Sequence, residues 1–157
     1  MPDPQGPGRH PRGEAPPHLR PGYLGLVFLG GMGGTLARFG LSEVLPTPAG
    51  LPVGIFLINI AGAFALGLLL EALARRGPDA GRRRGLRLLL GTGFLGGFTT
   101  YSALAVDSAL LVGGGRVAAG LGYLAVSVLV GLGATVLGIA AGSLVRRRSS
   151  GLAGGRA

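Results

Sequence analysis

The chain has 157 residues, enough for one domain, and 48% of them are apolar while only 13% are charged, a composition that favours a membrane protein over a disordered or basic soluble one. The net charge of +9 comes from fifteen arginines and no lysine. Because these arginines lie between apolar runs, as membrane topology requires, they do not indicate a nucleic-acid partner, and the absence of cysteine excludes disulfides and thiolate metal sites.

The predicted elements begin with a disordered cytoplasmic tail over residues 1–21, which is rich in Pro, Gly and Arg. A transmembrane helix needs about 20 mostly apolar residues. Four segments meet that condition: residues 22–41, 51–73, 86–112 and 117–145. A basic cytoplasmic tail follows over residues 146–157. The sequence therefore predicts an all-α membrane protein with four transmembrane helices.

The third predicted span contains a stretch over residues 91–104 with four glycines and five hydroxyl-bearing residues. Each glycine weakens a helix by about 1 kcal/mol relative to alanine. We therefore predict that the third helix is broken mid-span. Residues 91–96 also match the spacing G-x-G-x-x-G, but membrane spans rather than a strand flank them, so a dinucleotide site is excluded.

A helix break at membrane depth persists only where protein buries it or where it lines a wet cavity. The break frees carbonyl groups, which can hold a hard cation such as Na+, and N–H groups, which favour anions. Asn59, in the middle of the second span, adds an amide at similar depth. Two interpretations of Asn59 remain open at this point: a hydrogen bond between helices, or a donor to a permeating anion.

Residues four apart share one face of a helix. In the fourth span this spacing relates Tyr123, Ser127, Gly131 and Thr135, and the stripe suits either helix packing or one wall of a hydroxyl-lined path. Pairs of glycines with the same spacing predict close helix packing: Gly30 with Gly34, Gly93 with Gly97, and Gly138 with Gly142.

Charged residues near the span interiors are Arg38, at the outer end of the first span, and Asp107, near the outer end of the third. The position of Arg38 is typical of an anchor at the membrane–water interface, whose side chain extends to water. Both histidines, His10 and His18, lie in the N-terminal tail, and no span holds a pair of carboxylates. The sequence therefore contains no catalytic constellation and does not predict an enzyme.

The arginines are distributed very unevenly about the spans. Thirteen lie on one side, twelve in the two tails and the connection between spans two and three and one, Arg87, at the adjoining start of span three. Two, Arg38 and Arg116, lie on the opposite side. Because positive residues stay in the cytoplasm, both termini are predicted to be cytoplasmic in a multi-pass protein of the cell membrane.

Three blocks of the sequence carry a family resemblance. They read GGMGGTLARF over residues 30–39, GIFLINIAGAF over residues 54–64 and GFLGGFTTYS over residues 93–102. In order and spacing these blocks resemble the first three helices of the Fluc (CrcB) family of fluoride channels. With the four spans included, the resemblance covers about residues 22–145.

The resemblance implies a four-helix membrane channel domain over residues 22–145 and an antiparallel, dual-topology dimer with two narrow fluoride pores. It implies passive export of cytoplasmic fluoride across the lipid membrane, which reduces fluoride toxicity. It also implies a structural Na+ that is not transported and is held on the dimer axis. The carbonyls of Gly96 and Thr99 match the family's Na+ ligands by position.

The resemblance also implies roles for side chains. Asn59 would face the pore as an anion donor, and Thr100 and Ser127 would belong to a polar track. Arg38 would sit at a vestibule, and Asp107 stands where the family usually has Glu.

The sequence differs from the family at an aromatic pair whose ring edges would line the fluoride path. Tyr101 keeps a ring and adds a hydroxyl, but Leu104 has no quadrupole and offers no polarised edge.

An antiparallel homodimer requires one sequence to insert in both orientations, and thus a nearly balanced arginine count. We therefore hypothesise that this chain inserts in one orientation and pairs with a paralogue of opposite bias. Two alternatives remain: a non-conducting partner subunit of a heterodimeric fluoride channel, or a small proton-coupled multidrug transporter. The transporter is the weaker alternative, because it needs a carboxylate deep in the first span, and Glu14 and Glu43 lie in a tail and a loop.

Overall fold

The computed structural model describes residues 20–45 and 48–153. Over these residues the regular structure is entirely helical, and four helices are long and apolar enough to cross a membrane: Pro21–Val44, Val53–Ala74, Gly81–Gly113 and Val117–Leu144. The prediction of an all-α protein with four spans is confirmed. Apart from Arg20 and Pro21, the predicted N-terminal tail lies outside the described residues.

The third span is a composite of several helical segments, whereas the others are continuous. Helices α1 and α2 are the first two spans, Pro21–Val44 and Val53–Ala74, and α6 is the fourth, Val117–Ala153, which extends into the predicted C-terminal tail. The third span comprises α3 (Gly81–Leu86), a π-helical segment (Arg87–Leu95), a short turn α4 (Gly96–Phe98) and α5 (Tyr101–Gly113). Between α4 and α5 the chain leaves the helical conformation, so the prediction of a broken third helix is confirmed.

Close packing of α1 against the first half of the third span depends on glycine. A methyl group on Gly30 would overlap the carbonyl oxygen of Leu89, and one on Gly34 would overlap that of Phe94. From the opposite side, a methyl group on Gly93 would lie 2.8 Å from the Val27 carbonyl oxygen. The backbones thus approach directly, as small residues four apart allow in membrane helices.

Helix α2 packs along α6 in the same way. A methyl group on Gly67 would overlap the carbonyl oxygen of Thr135, and one on Gly138 would overlap that of Phe64. The close packing predicted from the glycine pairs of the first, third and fourth spans is therefore confirmed. Helix α5 also packs on α6, whereas α1 and α2 touch each other little.

Most large apolar side chains of the described residues face outward. The buried apolar side chains are few: Ile58, Leu73, Leu95, Leu104, Leu111 and Ala134. By contrast Phe28, Leu36 and Leu110 are each more than 60% exposed on the isolated chain. Such a surface suits lipid or a second subunit rather than water.

Candidate functional site

The third span is interrupted at Thr99 and Thr100, which are both extended, with ψ angles of 154° and 122°. The residues on both sides are helical, so the interruption is two residues long. Thr100 also caps α5, because its Oγ1 accepts a hydrogen bond from the Ala103 N–H at 3.2 Å. A threonine at this position satisfies one of the N–H groups that a helix start leaves without a partner.

Asn59 of α2 holds the interruption in place. Its Nδ2 donates to the Thr100 carbonyl oxygen at 2.9 Å, and its Oδ1 accepts from the Thr100 N–H at 2.7 Å. The structure therefore confirms the interhelical hydrogen bond that was one of the two interpretations of Asn59. Because a side-chain amide has two N–H donors, this arrangement uses one and leaves the other for the anion role, which stays a prediction.

Two N–H groups that would bond the predicted Na+ carbonyls in a continuous helix have other partners here. In a continuous α-helix the Thr100 N–H would bond the Gly96 carbonyl, and the Ala103 N–H would bond the Thr99 carbonyl. Here the first N–H is directed at Asn59 and the second at the Thr100 hydroxyl. Gly96 is also exposed, and a methyl group added to it would have no neighbouring atom within 4 Å. Both carbonyls are thus diverted from helical bonding, which fits the donor set of a hard cation.

Arg38 lies against this interruption. Its Nε donates to the carbonyl oxygen of Gly97 at 3.3 Å, and the Thr35 hydroxyl approaches the same oxygen at 3.5 Å. The guanidinium is half-buried, so a positive charge is held beside the break. The structure brings Arg38 together with the Gly96–Thr100 segment, whereas its vestibule role stays a prediction.

The two residues at the family's aromatic positions differ in exposure. Tyr101 is 75% exposed on the isolated chain, whereas Leu104 is only 5% exposed. The Leu104 carbonyl also accepts from the Ser108 hydroxyl, one turn later on α5, at 2.7 Å. Tyr101 therefore presents its ring outward, while Leu104 packs within the chain.

The polar stripe of α6 faces α2. The Tyr123 hydroxyl donates to the Pro52 carbonyl at 3.1 Å, and Gly131 packs against Ile60. Ser127 is 5% exposed, yet its hydroxyl has no hydrogen-bond partner within the part of the chain that the structure describes. The Tyr123 hydroxyl, one helical turn earlier on α6, is near enough to interact with it. Ser127 is thus a buried polar group of the stripe.

Asp107 lies elsewhere, in the middle of α5, where it lines a cavity of about 450 Å³ with Gly50, Pro52 and Arg116 among the other lining residues. Its Oδ2 is buried without a hydrogen-bond partner among the described residues. Arg116 was not predicted as a site residue. The sequence did contain a signal for Arg116: it lies in the turn between α5 and α6, and it is one of only two arginines outside the basic segments.

Together the fold and the site define a multi-pass α-helical membrane protein with polar groups held at a break inside a span, an arrangement typical of proteins that conduct or carry small solutes. Residues 25–139 match the family model described as CrcB-like protein, Camphor Resistance (CrcB). The chain belongs to this CrcB-like family.

Curated relatives support that membership. The chain is 51% identical to fluoride-specific ion channel FluC 2 of Leifsonia xyli subsp. xyli over 134 residues. The aligned region covers 85% of this chain and 92% of the relative. It is 51% identical over 113 residues to FluC 1 of Cutibacterium acnes, covering 71% and 79%. It is 43% identical over 118 residues to FluC of Paracoccus denitrificans, covering 74% and 90%. These relatives are ion channels, so the family is not one of enzymes.

Proposed function

We propose that this chain is a subunit of a fluoride-specific ion channel that lets cytoplasmic fluoride leave the cell passively and so reduces its toxicity. The observation that carries the proposal is the 51% identity to a fluoride-specific channel over 85% of the chain. The direction follows from acid–base chemistry. Neutral HF crosses a membrane from a weakly acidic medium and ionises in the more neutral cytoplasm, where fluoride accumulates until a channel releases it.

The proposed anion path uses donors that the chain already holds in place. The second Nδ2 proton of Asn59 and the hydroxyls of Thr100 and Ser127 can replace water around a small dehydrated anion. Ser127 supports this role most strongly, because its buried hydroxyl has no other acceptor among the described residues. Tyr101 would add a ring edge and a hydroxyl from the exposed face of α5.

The carbonyl oxygens of Gly96 and Thr99 would hold a structural Na+ at the dimer axis. Bound there, Na+ would supply positive charge that compensates carbonyl dipoles diverted from helical bonding. The test is stability rather than transport. Replacing NaCl with choline chloride is expected to lower the unfolding temperature of the purified protein, and an unchanged temperature would contradict the site.

We further propose that the channel is an antiparallel dimer in the cell membrane, and that this chain takes one orientation with both termini in the cytoplasm. The support is the arginine distribution, with thirteen on one side and two on the other. The second subunit would then be a paralogue whose arginines are biased toward the opposite side of its spans. A topology reporter fused to the C-terminus is expected to read only cytoplasmic, and a substantial outward population would contradict the heterodimer.

A second candidate function, a non-conducting partner subunit, has one observation in its favour. Leu104 stands at an aromatic position of the family and is buried within the chain, so it presents no ring edge to an anion. In this case the conducting pore would depend on the partner's side chains.

Purified chains can enter liposomes in both orientations, so fluoride efflux from liposomes that contain only this chain tests whether two copies of it conduct without a paralogue. A conducting homodimer is expected to release trapped fluoride within seconds of adding a K+ ionophore, with chloride retained. No efflux from protein that is folded and dimeric would favour the non-conducting subunit. Ser127→Ala tests the proposed anion path itself, because it removes the buried hydroxyl and is expected to slow efflux with little loss of stability.

A further inference from the structure

The connection between α2 and α3 carries a concentrated positive charge at the point where both helices leave the membrane. Residues 71–87 contain six arginines and only two carboxylates, Glu71 and Asp79. The other described connections between the spans carry a single arginine, Arg116. We call residues 70–87 the α2–α3 corner.

Two of these arginines line a cleft whose remaining walls are largely apolar. The cleft has a volume of about 420 Å³, and it is bounded by Leu70, Leu73, Ala74, Gly77, Asp79, Arg83 and Arg87. Leu70 is 41% exposed and lies one helical turn inside the end of α2, about 5 Å toward the bilayer centre. The cleft is therefore charged at its outer end and apolar at its inner end.

The arginines of the cleft are held in place rather than free. Arg83 donates to the Arg76 carbonyl and packs against Gly77, whose φ angle of +114° is available to glycine without strain. Arg87 directs Nε and Nη2 at the two carboxylate oxygens of Asp79, at 3.1 and 2.8 Å. Since a guanidinium has five N–H donors, each side chain keeps donors for a further acceptor.

The charge balance leaves the corner able to bind an anion. Glu71 pairs with Arg75, and Asp79 is shared by Arg84 and Arg87. The two negative charges of these carboxylates thus offset two of the six positive charges of the arginines. Arginine in a fixed position suits phosphate, because its planar N–H groups match two phosphate oxygens at once.

We propose that the α2–α3 corner binds the headgroup of an anionic phospholipid, with the phosphate on Arg83 and Arg87 and the start of an acyl chain along Leu70. The apolar wall favours a lipid over free phosphate, because a free ion gains nothing from Leu70 and Leu73. Basic clefts beside membrane helices bind anionic headgroups for this reason. The site does not depend on which ion the protein conducts.

Native mass spectrometry of the purified full-length protein tests the proposal with phosphatidylglycerol, phosphatidylcholine of equal chain length, and inorganic phosphate. Wild-type protein is expected to retain phosphatidylglycerol in preference to phosphatidylcholine. Arg83→Gln with Arg87→Gln is expected to weaken that preference by about fivefold per arginine, the effect of one cationic side chain at an anionic surface. Millimolar inorganic phosphate is expected not to displace the lipid.

The matched control is Arg76→Gln with Arg82→Gln, which removes an equal charge from the same corner at two exposed positions outside the cleft. It is expected to keep most of the preference. Equal retention of the two lipids by the wild type, equal effects of the control and the double variant, or displacement by inorganic phosphate would each overturn the proposal. Equal retention by the wild type refutes the proposal without any variant, and the single variants Arg83→Gln and Arg87→Gln locate the lipid if the double variant does not fold.

Discussion

The side-chain amide of Asn59 closes a two-bond ring with the backbone of Thr100, with N–O distances of 2.9 and 2.7 Å across 41 positions of sequence. An asparagine in α2 thereby replaces the helical hydrogen bonding that the third span gives up. The break in one span and the polar residue in another form a single structural unit.

Asn59→Leu keeps the size of the side chain but removes both hydrogen bonds. The Thr100 N–H and carbonyl lose their partners in a half-buried position, which costs about 1–3 kcal/mol for each unsatisfied group. We expect a lower free energy of unfolding in detergent titrations and loss of fluoride efflux. Unchanged stability in this variant would contradict the proposed role of the ring.

Asn59→Asp separates the structural role of Asn59 from its role toward an anion. The carboxylate still accepts from the Thr100 N–H, but it carries negative charge and has no donor, either for the Thr100 carbonyl oxygen or for an anion. We expect stability between those of Asn59→Leu and the wild type, with efflux reduced at least as far as in Asn59→Leu. Efflux that follows stability in both variants would argue against direct contact with fluoride.

Thr100→Ala is expected to destabilise the start of α5 by about 1 kcal/mol, because the Ala103 N–H loses its capping oxygen. Thr100→Ser keeps that oxygen and serves as the matched variant. Hydrogen exchange at the Ala103 amide should accelerate in the alanine variant alone. Equal protection in both variants would show that the cap contributes little.

Gly34→Ala is expected to prevent α1 from closing on the third span, since the added methyl group would overlap the Phe94 carbonyl oxygen, which cannot rotate away. Overpacking of this kind costs about 1–3 kcal/mol or more. Gly25→Ala, on the same helix with no atom within 4 Å of the added methyl, is the control. Thermal unfolding in detergent should separate the two variants clearly, and equal unfolding temperatures would refute this account of the packing.

Leu104→Ala is expected to cost about 2–5 kcal/mol, the range for a buried leucine whose removal leaves a cavity. Leu110→Ala, six residues further along α5 and 69% exposed, should cost far less. The measurement is the free energy of unfolding of both variants. A small loss at Leu104 would indicate that the side chain faces open space in the assembled channel.

Asp79 lies outside the spans, and its hydrogen bond from Arg87 lowers the pKa of its carboxyl below the ordinary 3.8. Because the folded-state pKa is depressed, the stabilisation by the ion pair is present above pH 3.8 and is lost as the pH falls through the lowered value. Carbon-13 NMR of labelled aspartate should show this titration. Arg87→Gln is expected to move the pKa back toward 3.8, and an unshifted wild-type value would contradict the pairing.

Much of the fold could be predicted because its signals are local. Apolar length defined the four spans, and glycine density in residues 91–104 indicated the break. The position of the break within that stretch could not be predicted, because it depends on Asn59 of another helix reaching Thr100. Helix propensity alone would have placed the break at the glycines. Gly96 and Gly97 nevertheless remain helical, and Thr99 and Thr100 are the extended residues.

The sequence indicated which residues gather at the break, but not how burial would arrange their side chains. The assignment of Gly96 and Thr99 as Na+ ligands came from the family resemblance and stays a prediction, for which the carbonyls diverted from helical bonding are the structural support. Leu104 could be recognised as a departure from the family, but its burial depends on how α5 packs. Arg116 was missed because its significance lies in sharing a cavity with Asp107, which is a tertiary relationship.

The glycine contacts pair the first span with the third and the second span with the fourth. Consecutive spans α1 and α2 therefore do not form a finished hairpin when they emerge from the ribosome. When α1 and α2 enter the bilayer, the surface on which each packs most closely is still uncovered, because the helix that covers it has not yet been synthesised. Biogenesis of this protein thus depends on the whole chain being made, and a truncation after α5 would leave α2 without the surface on which it packs.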